Sequence, residues 1–288
     1  MALELAKRTG GVVVNADSAQ VYRDLPILSA APSEPELERA EHRLYGFLDG
    51  AIACSAADWA AKARHEIEEI HASHRLPILA GGTGLYLRTL LEGLAPMPGI
   101  DPGVRRRVRQ AGVEENRREL ATLDPASAAR LKPGDTARIA RALEVVVSTG
   151  HSITHWQEHR QGGIGTEILL RPIILLPERE WLYARCDERF ARMMVQGAVK
   201  EVETLLDRHL DPQLPIMRAI GVREIKAYLE GTMTLAEARA AGQQATRRYA
   251  KRQYTWFARQ PPPEWPRLRG RLEREQMERA LELLCASA

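Results

Sequence analysis

The sequence is poor in cysteine and in long apolar runs. Its three cysteines, Cys54, Cys186 and Cys285, lie far apart and form no CxxC pair. This spacing argues against a disulfide framework or a zinc site and favours a reducing compartment. Even the longest apolar runs are short, for example Leu76 to Ala80. The first stretch, MALELAKRTGG, carries charges every few positions. Neither a membrane span nor a signal peptide is therefore expected, which predicts a soluble cytoplasmic protein.

Acidic residues are missing from one long segment near the carboxyl end. The whole chain has 41 basic and 38 acidic residues, a net charge of +3 that is too small to indicate a nucleic-acid partner. From Ala238 to Pro263, however, there is no acidic residue, and the six basic residues are Arg239, Arg247, Arg248, Lys251, Arg252 and Arg259. On a helix, residues four apart share one face, so ATRRYAKRQYTWF (245–257) predicts a basic face. Such a face either binds a phosphate backbone or pairs with acids in the core, and the pattern leaves both open.

The first hundred residues alternate between strand and helix patterns. Val12 to Val14 is typical of a buried parallel strand. A helix is predicted after Ser55, with Asp58 completing a capping pattern and an apolar face made by Trp59, Ala63, Ile67 and Ile70. A strand at Leu76 to Ala80 and a helix from about Leu85 follow. This order predicts a parallel sheet covered by helices.

The pattern changes after residue 93. Prolines and glycines precede a helical, arginine-rich stretch from Val104 to about Gly150, and residues 167–177 return to strand character. After Pro177 the chain is nearly all helix, including a long helix from Thr234, with Glu237 in a capping-box position, to near Phe257. Residues 101–165 are therefore predicted to form a helical insertion in an α/β core.

An acidic residue follows the first predicted strand. In NADSAQVY, residues 15 to 22, Asp17 lies just past Val14. Asp and Ser are good helix N-caps, and on local pattern alone capping is the commoner role. In open α/β sheets, however, ligands bind beside the carboxyl ends of strands. Asp17 is thus a candidate for a cap and for a catalytic carboxylate.

Two further motifs suit a phosphate-bearing ligand. Gly81-Gly82-Thr83-Gly84 lies between a strand and a helix, where glycines permit close approach of a ligand and Thr83 offers a hydroxyl. An ordinary tight turn explains the same pattern. In RAIGVRE, Arg218 and Arg223 flank a glycine, and guanidinium groups match phosphate oxygens. Two solvated surface arginines explain that pattern equally simply.

Five motifs occur in order along the chain: NADSAQVYRDL, SAADW, LPILAGGTGLYLRTLLEGL, RIARALEVV and ATRRYAKRQYTWF. Together they resemble the tRNA dimethylallyltransferases, the delta-2-isopentenylpyrophosphate transferase family, from residue 2 to about 258. Each motif alone is weak, but five in this order at the family's spacing are highly specific.

The resemblance implies an α/β fold with a P-loop NTPase-like parallel sheet core, a helical insertion domain and a helical C-terminal region. The core would comprise residues 1–100 and 166–288, and the insertion, residues 101–165, would contact tRNA. Dimethylallyl diphosphate and a flipped-out adenine would enter a channel through the core from opposite ends. The implied reaction is prenyl transfer to the N6 amine of the adenosine 3′-adjacent to the anticodon, in tRNAs reading codons that start with U. Mg²⁺ is the implied cofactor and a monomer the implied state.

The resemblance also implies roles for single residues. Asp17 matches the general base and Thr83 the channel threonine, and both are expected to be catalytic. Thr83, Arg218 and Arg223 are expected to contact the diphosphate, and no protein ligand to a metal is expected. The expected tRNA contacts are Asp17, Ser18, Ala19, Gln20, Arg105, Ala137, Arg138, Ile139, Ala140, Arg141, Arg218, Arg223, Arg247, Lys251 and Arg252.

The sequence departs from the family pattern in two places. It contains no G-x-x-x-x-G-K-[ST] stretch, the phosphate-binding loop of the family. The strand that precedes this loop in the family is expected to be absent too, which would leave its two neighbouring strands without a pairing partner. Residues 27–32 read ILSAAP where the family usually has IGTAKP, so Ser29 and Ala31 replace a threonine and a lysine. Both departures remove groups that would meet a diphosphate. The chain as written is therefore expected not to carry out prenyl transfer.

Other functions remain open on sequence alone. A P-loop small-molecule kinase or a prenyltransferase acting on free adenine nucleotide could use the same core, but neither needs a helical insertion and a long basic helix. A catalytically impaired tRNA-binding remnant is a hypothesis of another class. It would bind tRNA without releasing pyrophosphate from the prenyl donor.

Overall fold

The computed structural model describes residues 1–271 and 273–285 and divides the chain into two compact units. The first unit comprises Met1–Leu90 and Ile168–Ala288, and the second comprises Leu91–Glu167. The second unit begins before the predicted insertion at residues 101–165 and ends just after it.

In chain order the strands are β1 Val12–Asn15, β2 His42–Arg43, β3 Pro77–Ala80, β4 Ile174–Pro177 and β5 Arg267–Gly270. The helices are α1 Ala2–Thr9, α2 Glu34–Leu37, α3 Ala56–Ala72, α4 Gly84–Glu92, α5 Pro102–Gln110, α6 Val113–Leu123, α7 Pro125–Arg130, α8 Thr136–Thr149, α9 Ile153–Gln157, α10 Arg179–Gln196, α11 Ala198–Leu206, α12 Val222–Leu229, α13 Leu235–Arg259 and α14 Arg274–Cys285. A short 3₁₀ turn covers Ile216–Arg218.

The predicted parallel sheet is present in the first unit. Its strand order is β2-β1-β3, with Val13 opposite His42 and Val14 opposite Leu79. All four residues of β1 are buried, as expected for a central strand with an unbroken apolar run. The sequence did not predict β2, because two polar residues carry no strand pattern.

The helix α3 forms as its sequence predicts. Ser55 caps it, with the Asp58 backbone N–H donating to Ser55 Oγ at 3.2 Å, and the Asp58 side chain returning to the Ser55 backbone. The predicted apolar face is the buried one, made of Trp59, Ala63, Ile67 and Ile70. Capping and periodicity agree here, so the prediction is confirmed.

A second, two-stranded parallel sheet joins β4 to β5, with Ile174 opposite Arg267. The predicted strand at 167–177 was too long, since only its last four residues pair. Pro172 has no N–H to donate to a ladder, which disfavours strand pairing before β4. The strand β5 was not predicted, because the chain after Pro177 has a nearly continuous helical pattern. Within the described residues, β3 and β4 each hydrogen-bond to a single neighbouring strand.

The long helix α13 packs on α10 in the first unit. Thr234 caps it with Glu237, which confirms the predicted capping box, and the helix ends at Arg259 rather than Phe257. The contact is close because Gly242 has no side chain: a Cβ there would lie 2.1 Å from Cζ of Phe190 on α10.

The second unit is a bundle of short helices, α5 to α9. The stretch predicted as helical from Val104 to about Gly150 is divided into four helices, whose breaks contain Gly112, Asp124 and Gly134. The core of this unit is built from apolar residues of α5, α6, α7 and α8, among them Val108, Leu120, Ala128, Ile139, Leu143 and Val146. Of the described helices in either unit, none is long and apolar enough to cross a membrane.

Candidate active site

Asp17 lies in a tight turn directly after β1. Its backbone N–H donates to Asn15 Oδ1 at 2.7 Å, and the Ala19 N–H donates to Asp17 Oδ1 at 2.8 Å. The next described helix begins only at Glu34. The helix-capping interpretation of Asp17 is therefore wrong, because its carboxylate closes a local turn at the strand end instead.

Asn15 fixes the backbone beneath Asp17. This residue is fully buried, and its amide nitrogen donates to the carbonyl oxygens of Asp17 at 3.0 Å and Leu44 at 2.9 Å. The indole N–H of Trp59 donates to the Asn15 carbonyl at 3.0 Å. The role of Asn15 was not predicted from the sequence, although a polar residue at the end of a buried apolar strand is a visible signal. These bonds hold Asp17 in one position at the strand end.

The glycine-rich turn after β3 meets the turn that contains Asp17. A Cβ on Gly81 would lie 2.2 Å from the Ala16 carbonyl carbon, so only glycine permits this approach. The Thr83 N–H donates to the Ala16 carbonyl at 3.1 Å, and the Ser18 N–H donates to Thr83 Oγ1 at 2.9 Å. The Thr83 hydroxyl donates in turn to Ser18 Oγ at 3.2 Å. Two separate sequence motifs are thereby joined at the carboxyl ends of adjacent parallel strands.

The carboxyl-terminal half of α13 packs on the same glycine-rich turn. The Gln253 side-chain amide donates to the Gly82 carbonyl at 3.0 Å. At Gly84, a Cβ would lie 2.5 Å from the Trp256 ring. From the sequence, this part of α13 was expected to bind RNA or to pair with acids in the core, and its contact with the Thr83 turn was not predicted.

Burial sets the electrostatics of Asp17. Burial raises the pKa of the Asp17 carboxyl above its usual range, while the Ala19 N–H and the charge of Arg189 oppose that rise. Burial also raises the pKa of Tyr45 to about 12, with the Asp17 charge adding to the effect, and raises the pKa of Tyr86. No described residue forms an ion pair with Asp17. The carboxylate thus lies in a partly buried setting in which it is a better proton acceptor than in water.

Gln20 holds the segment in which the sequence departs from the family pattern. Its amide nitrogen donates to the Ser29 carbonyl at 3.0 Å and the Ala30 carbonyl at 2.7 Å. From α11, the Glu201 carboxylate accepts from the backbone N–H groups of Ile27 and Leu28. Ser18, Ala19 and Gln20 are all half-buried. Of these three, Gln20 has a structural contact that the sequence did not predict.

Arg218 and Arg223 lie at the surface of the first unit. Arg218 ends the 3₁₀ turn, and Arg223 is in the first turn of α12 with 90% of its side chain exposed. The nearest carboxylate to Arg223 is that of Glu224, at 3.7 Å. No described contact joins either arginine to Asp17 or Thr83. Their predicted role at a diphosphate stays a prediction.

The predicted basic face of α13 is divided between two roles. Arg247 is half-buried, and its Nη1 donates to Asp187 Oδ2 on α10 at 2.6 Å. Lys251 and Arg252 are exposed, and the Arg252 guanidinium lies 5.4 Å from the Tyr249 ring centroid. Arg247 therefore forms an ion pair within the first unit, and its assignment to the RNA-facing group stays a prediction. Lys251 and Arg252 keep that assignment as a prediction.

The predicted RNA contacts of the second unit are divided in the same way. Arg105 is exposed and lines a concave site of about 400 Å³. Ala137 and Arg138 are exposed as well, and Arg141 is half-buried. By contrast, Ile139 and Ala140 are 1% and 9% exposed and belong to the core of the unit. The prediction is wrong for those two side chains, because the helical period turns them inward.

The described residues offer no protein-built metal site. Among them, no group of three or more His, Cys, Asp or Glu side chains is placed to hold a metal ion. Mg²⁺ is held in proteins by carboxylate oxygens together with substrate phosphates, and the carboxylate at this site is Asp17 alone. The described residues therefore build no dedicated Mg²⁺ site of their own, and Asp17 is the carboxylate that a phosphate-bound Mg²⁺ would meet here.

Comparison with known proteins matches the chain to one family. A family model described as IPP transferase matches residues 20–260. The chain is 58% identical over 269 residues to a tRNA dimethylallyltransferase of Erythrobacter litoralis (strain HTCC2594), covering 93% of this chain and 85% of that relative. It is similar in structure to the tRNA isopentenylpyrophosphate transferase of Bacillus halodurans, with a TM-score of 0.68, 32% identity and coverage of 97% and 89% of the two chains. A eukaryotic dimethylallyltransferase described as acting on tRNA superposes with a TM-score of 0.74 at 25% identity, over 88% of this chain and 65% of that one.

Proposed function

Because the chain belongs to the IPP transferase family, we propose that it transfers the dimethylallyl group of dimethylallyl diphosphate to tRNA. The acceptor is the N6 amine of the adenosine 3′-adjacent to the anticodon, in tRNAs reading codons that start with U. The observation that carries the proposal is the junction of the Asp17 turn with the Thr83 turn at neighbouring strand ends.

The reaction forms one bond and breaks one. The N6 nitrogen attacks the allylic carbon, the bond from that carbon to the diphosphate oxygen breaks, and pyrophosphate leaves with the electron pair. The proton released from N6 goes to a carboxylate oxygen of Asp17. An adenine amine is a weak nucleophile because its lone pair is delocalised into the ring, so a positioned base lowers the barrier.

The surroundings of Asp17 support the role of general base. One of its oxygens, Oδ1, accepts from the Ala19 N–H, and the Gln20 N–H is a second backbone donor near the carboxylate. Burial raises its pKa, and a raised pKa makes a carboxylate a better proton acceptor. Since an adenine must leave its stack to meet a carboxylate set into the protein, the acceptor base is flipped out of the RNA.

The diphosphate end of the reaction rests on chemistry and resemblance. Arg218 and Arg223 expose guanidinium groups, which match the paired oxygens of a departing diphosphate. The Thr83 hydroxyl is the further candidate donor. We propose that these three residues meet the diphosphate and that the chain acts as a monomer.

The test is a prenyl-transfer assay with tRNA, dimethylallyl diphosphate and Mg²⁺, followed by mass analysis of the nucleosides. Asp17→Asn should lower turnover by about 10²-fold or more, the usual contribution of a positioned base. Asp211→Asn is the matched control, because Asp211 is exposed and accepts the Gln213 N–H at 2.8 Å in a turn of the same kind. Turnover of Asp17→Asn within a few-fold of the control would reject the assignment.

The same assay separates the other functions. Transfer to free adenine nucleotide instead of tRNA would indicate a nucleotide prenyltransferase, and phosphorylation of a small molecule from ATP would indicate a kinase. Tight tRNA binding without pyrophosphate release would identify an impaired remnant. The expectation that the chain as written does not carry out prenyl transfer stays a prediction, and the same assay tests it.

A further inference from the structure

Glu144 is a fully buried carboxylate on α8, in the second unit. Its side chain is 0% exposed, and its Oε2 accepts no hydrogen bond within the described residues. The residues on either side of it, Leu143 and Val145, are 0% exposed as well. A charge taken out of water is costly unless opposite charges compensate it. The role of Glu144 therefore depends on its partners.

Two arginines compensate this buried charge. Arg109 Nε on α5 donates to Glu144 Oε1 at 2.9 Å, and Arg141 Nη1 on α8 lies 3.6 Å from Oε2. Their side chains nevertheless remain 64% and 40% exposed. The buried carboxylate thus holds the inner side of each guanidinium, while part of each side chain stays in contact with solvent.

One of these arginines lines the concave site of the second unit. That site has a volume of about 400 Å³, and three of its lining residues are Arg105, Arg106 and Arg109 of α5. Guanidinium groups suit the oxygens of backbone phosphates, because several N–H donors lie in one plane. The concave site therefore offers a polyanion several donors on one helix, and Arg109 is the one fixed by Glu144.

A neighbouring ion pair shows what an ordinary surface pair looks like on the same helix. Arg107 donates through two nitrogens to the Glu119 carboxylate, at 2.7 and 2.9 Å. The Glu119 side chain is 32% exposed, so water reaches that carboxylate. Glu144 differs in being out of reach of water. A buried ion pair adds little net stability compared with apolar packing, so stability alone does not account for Glu144.

We infer that Glu144 is a positioning residue for RNA binding: it holds Arg109 and Arg141 so that they and the arginine-lined concave site bind backbone phosphates of tRNA. The identity of the RNA rests on the proposed function. Glu144 itself does not touch the RNA and acts through the two arginines.

The sign of a charge change tests this inference. Glu144→Gln keeps the size of the side chain and removes its charge, and Glu119→Gln makes the same change of one charge at the surface pair. If total charge governed RNA binding, both variants would bind more tightly. We expect Glu144→Gln to bind tRNA about tenfold more weakly, with the salt dependence reduced by about one phosphate contact, and Glu119→Gln to bind at least as tightly as the unaltered chain.

Binding titrations of both variants with tRNA at several salt concentrations give the answer. Unchanged or tighter binding by Glu144→Gln overturns the inference, as does an equal loss in both variants. Should Glu144→Gln fail to fold, Arg109→Lys replaces it, with Arg107→Lys as its control. Lysine keeps the charge and loses the Nε–H that donates to Glu144, so only Arg109→Lys should weaken binding. Equal binding by the two lysine variants overturns the inference.

Steady-state kinetics separate this inference from the proposed function. Glu144→Gln should raise the KM for tRNA and leave kcat unchanged, since the inferred role of Glu144 is in RNA binding and not in the chemical step. Weaker tRNA binding by Glu144→Gln in a chain that transfers no prenyl group would reject the proposed function and keep the inference. Prenyl transfer by Glu144→Gln with an unchanged KM for tRNA would keep the proposed function and reject the inference.

Discussion

Asp17 and Glu144 are two carboxylates set into the protein, one at the end of β1 and one on α8, and they meet opposite surroundings. Asp17 is held by the backbone N–H of Ala19, and no described residue forms an ion pair with it. Glu144 has no exposed surface and is paired with Arg109 and Arg141. The first carboxylate is fixed in place by its backbone and the second by two cations.

This difference separates what each carboxylate can do. A carboxylate without a paired cation, whose pKa burial raises, is suited to accept a proton. A carboxylate between two guanidinium groups has its charge committed to them and is suited to hold them in place. Chemistry is therefore expected at the strand ends of the first unit, and electrostatic binding at the arginines of the second.

The largest expected effect is the loss of turnover when the Asp17 carboxylate is removed. Asp17→Ala, in a form of the chain that carries out the reaction, should lower turnover by about 10²-fold or more, which is about 2.7 kcal/mol of barrier. The affinity for dimethylallyl diphosphate should hardly change, because the carboxylate acts on the acceptor amine. Single-turnover rates and donor titrations measure the two quantities. A large loss of donor affinity with intact turnover would contradict the assigned role.

The next largest effect is on the free energy of unfolding when the ion pair of Glu144 is changed. Arg109→Gln leaves the buried Glu144 with one arginine in place of two and should lower the free energy of unfolding by about 1–3 kcal/mol. Arg107→Gln breaks the solvent-accessible pair with Glu119 and should cost about 0–1 kcal/mol. Urea denaturation of the two variants gives the comparison. Equal losses would show that the burial of Glu144 has no energetic consequence.

A smaller effect separates the two roles on α13. Neutralising Lys251 and Arg252 together should weaken tRNA binding a few-fold and flatten its salt dependence, because fewer counterions are released. Arg247→Gln should instead lower the melting temperature through loss of the ion pair with Asp187, at a cost of about 1 kcal/mol. If the Lys251 and Arg252 changes lowered the melting temperature and left tRNA binding intact, the exposed face would be structural as well.

The smallest effect is the dependence of stability on pH at Asp17. Because the folded pKa is raised, the fold favours the protonated carboxyl, and this contribution to stability is lost as pH rises through the folded pKa. Asp17→Asn cannot ionise and should be slightly more stable than the unaltered chain at neutral pH. The difference should vanish below the ordinary Asp pKa of about 3.9. Melting temperatures measured across pH test this, and a less stable Asp17→Asn at neutral pH would contradict it.

Local patterns predicted the elements whose own residues decide their structure. Ser55 and Thr234 cap their helices, and the face of α3 that carries Trp59 is buried, because capping and periodicity act within a few residues. The strands β2 and β5 were missed, since each is short and polar and exists only through pairing with a distant strand. The helical period also predicts Ile139 inward, which the motif-based assignment of residues 137–141 to RNA overlooked.

The features of the candidate site also divide into those predicted from local sequence and those set by tertiary packing. The sequence by itself determined that Asp17 and Thr83 follow two strands of one parallel sheet and that a glycine-rich turn stands beside them, because these features depend on neighbouring residues. Only the tertiary structure decided that Ser18 and Thr83 bond to each other, that Arg247 pairs with Asp187, and that Glu144 is buried between two arginines. Those outcomes depend on packing between residues far apart in the chain, and packing sets the burial and distances that fix whether a charge is paired or left available for chemistry.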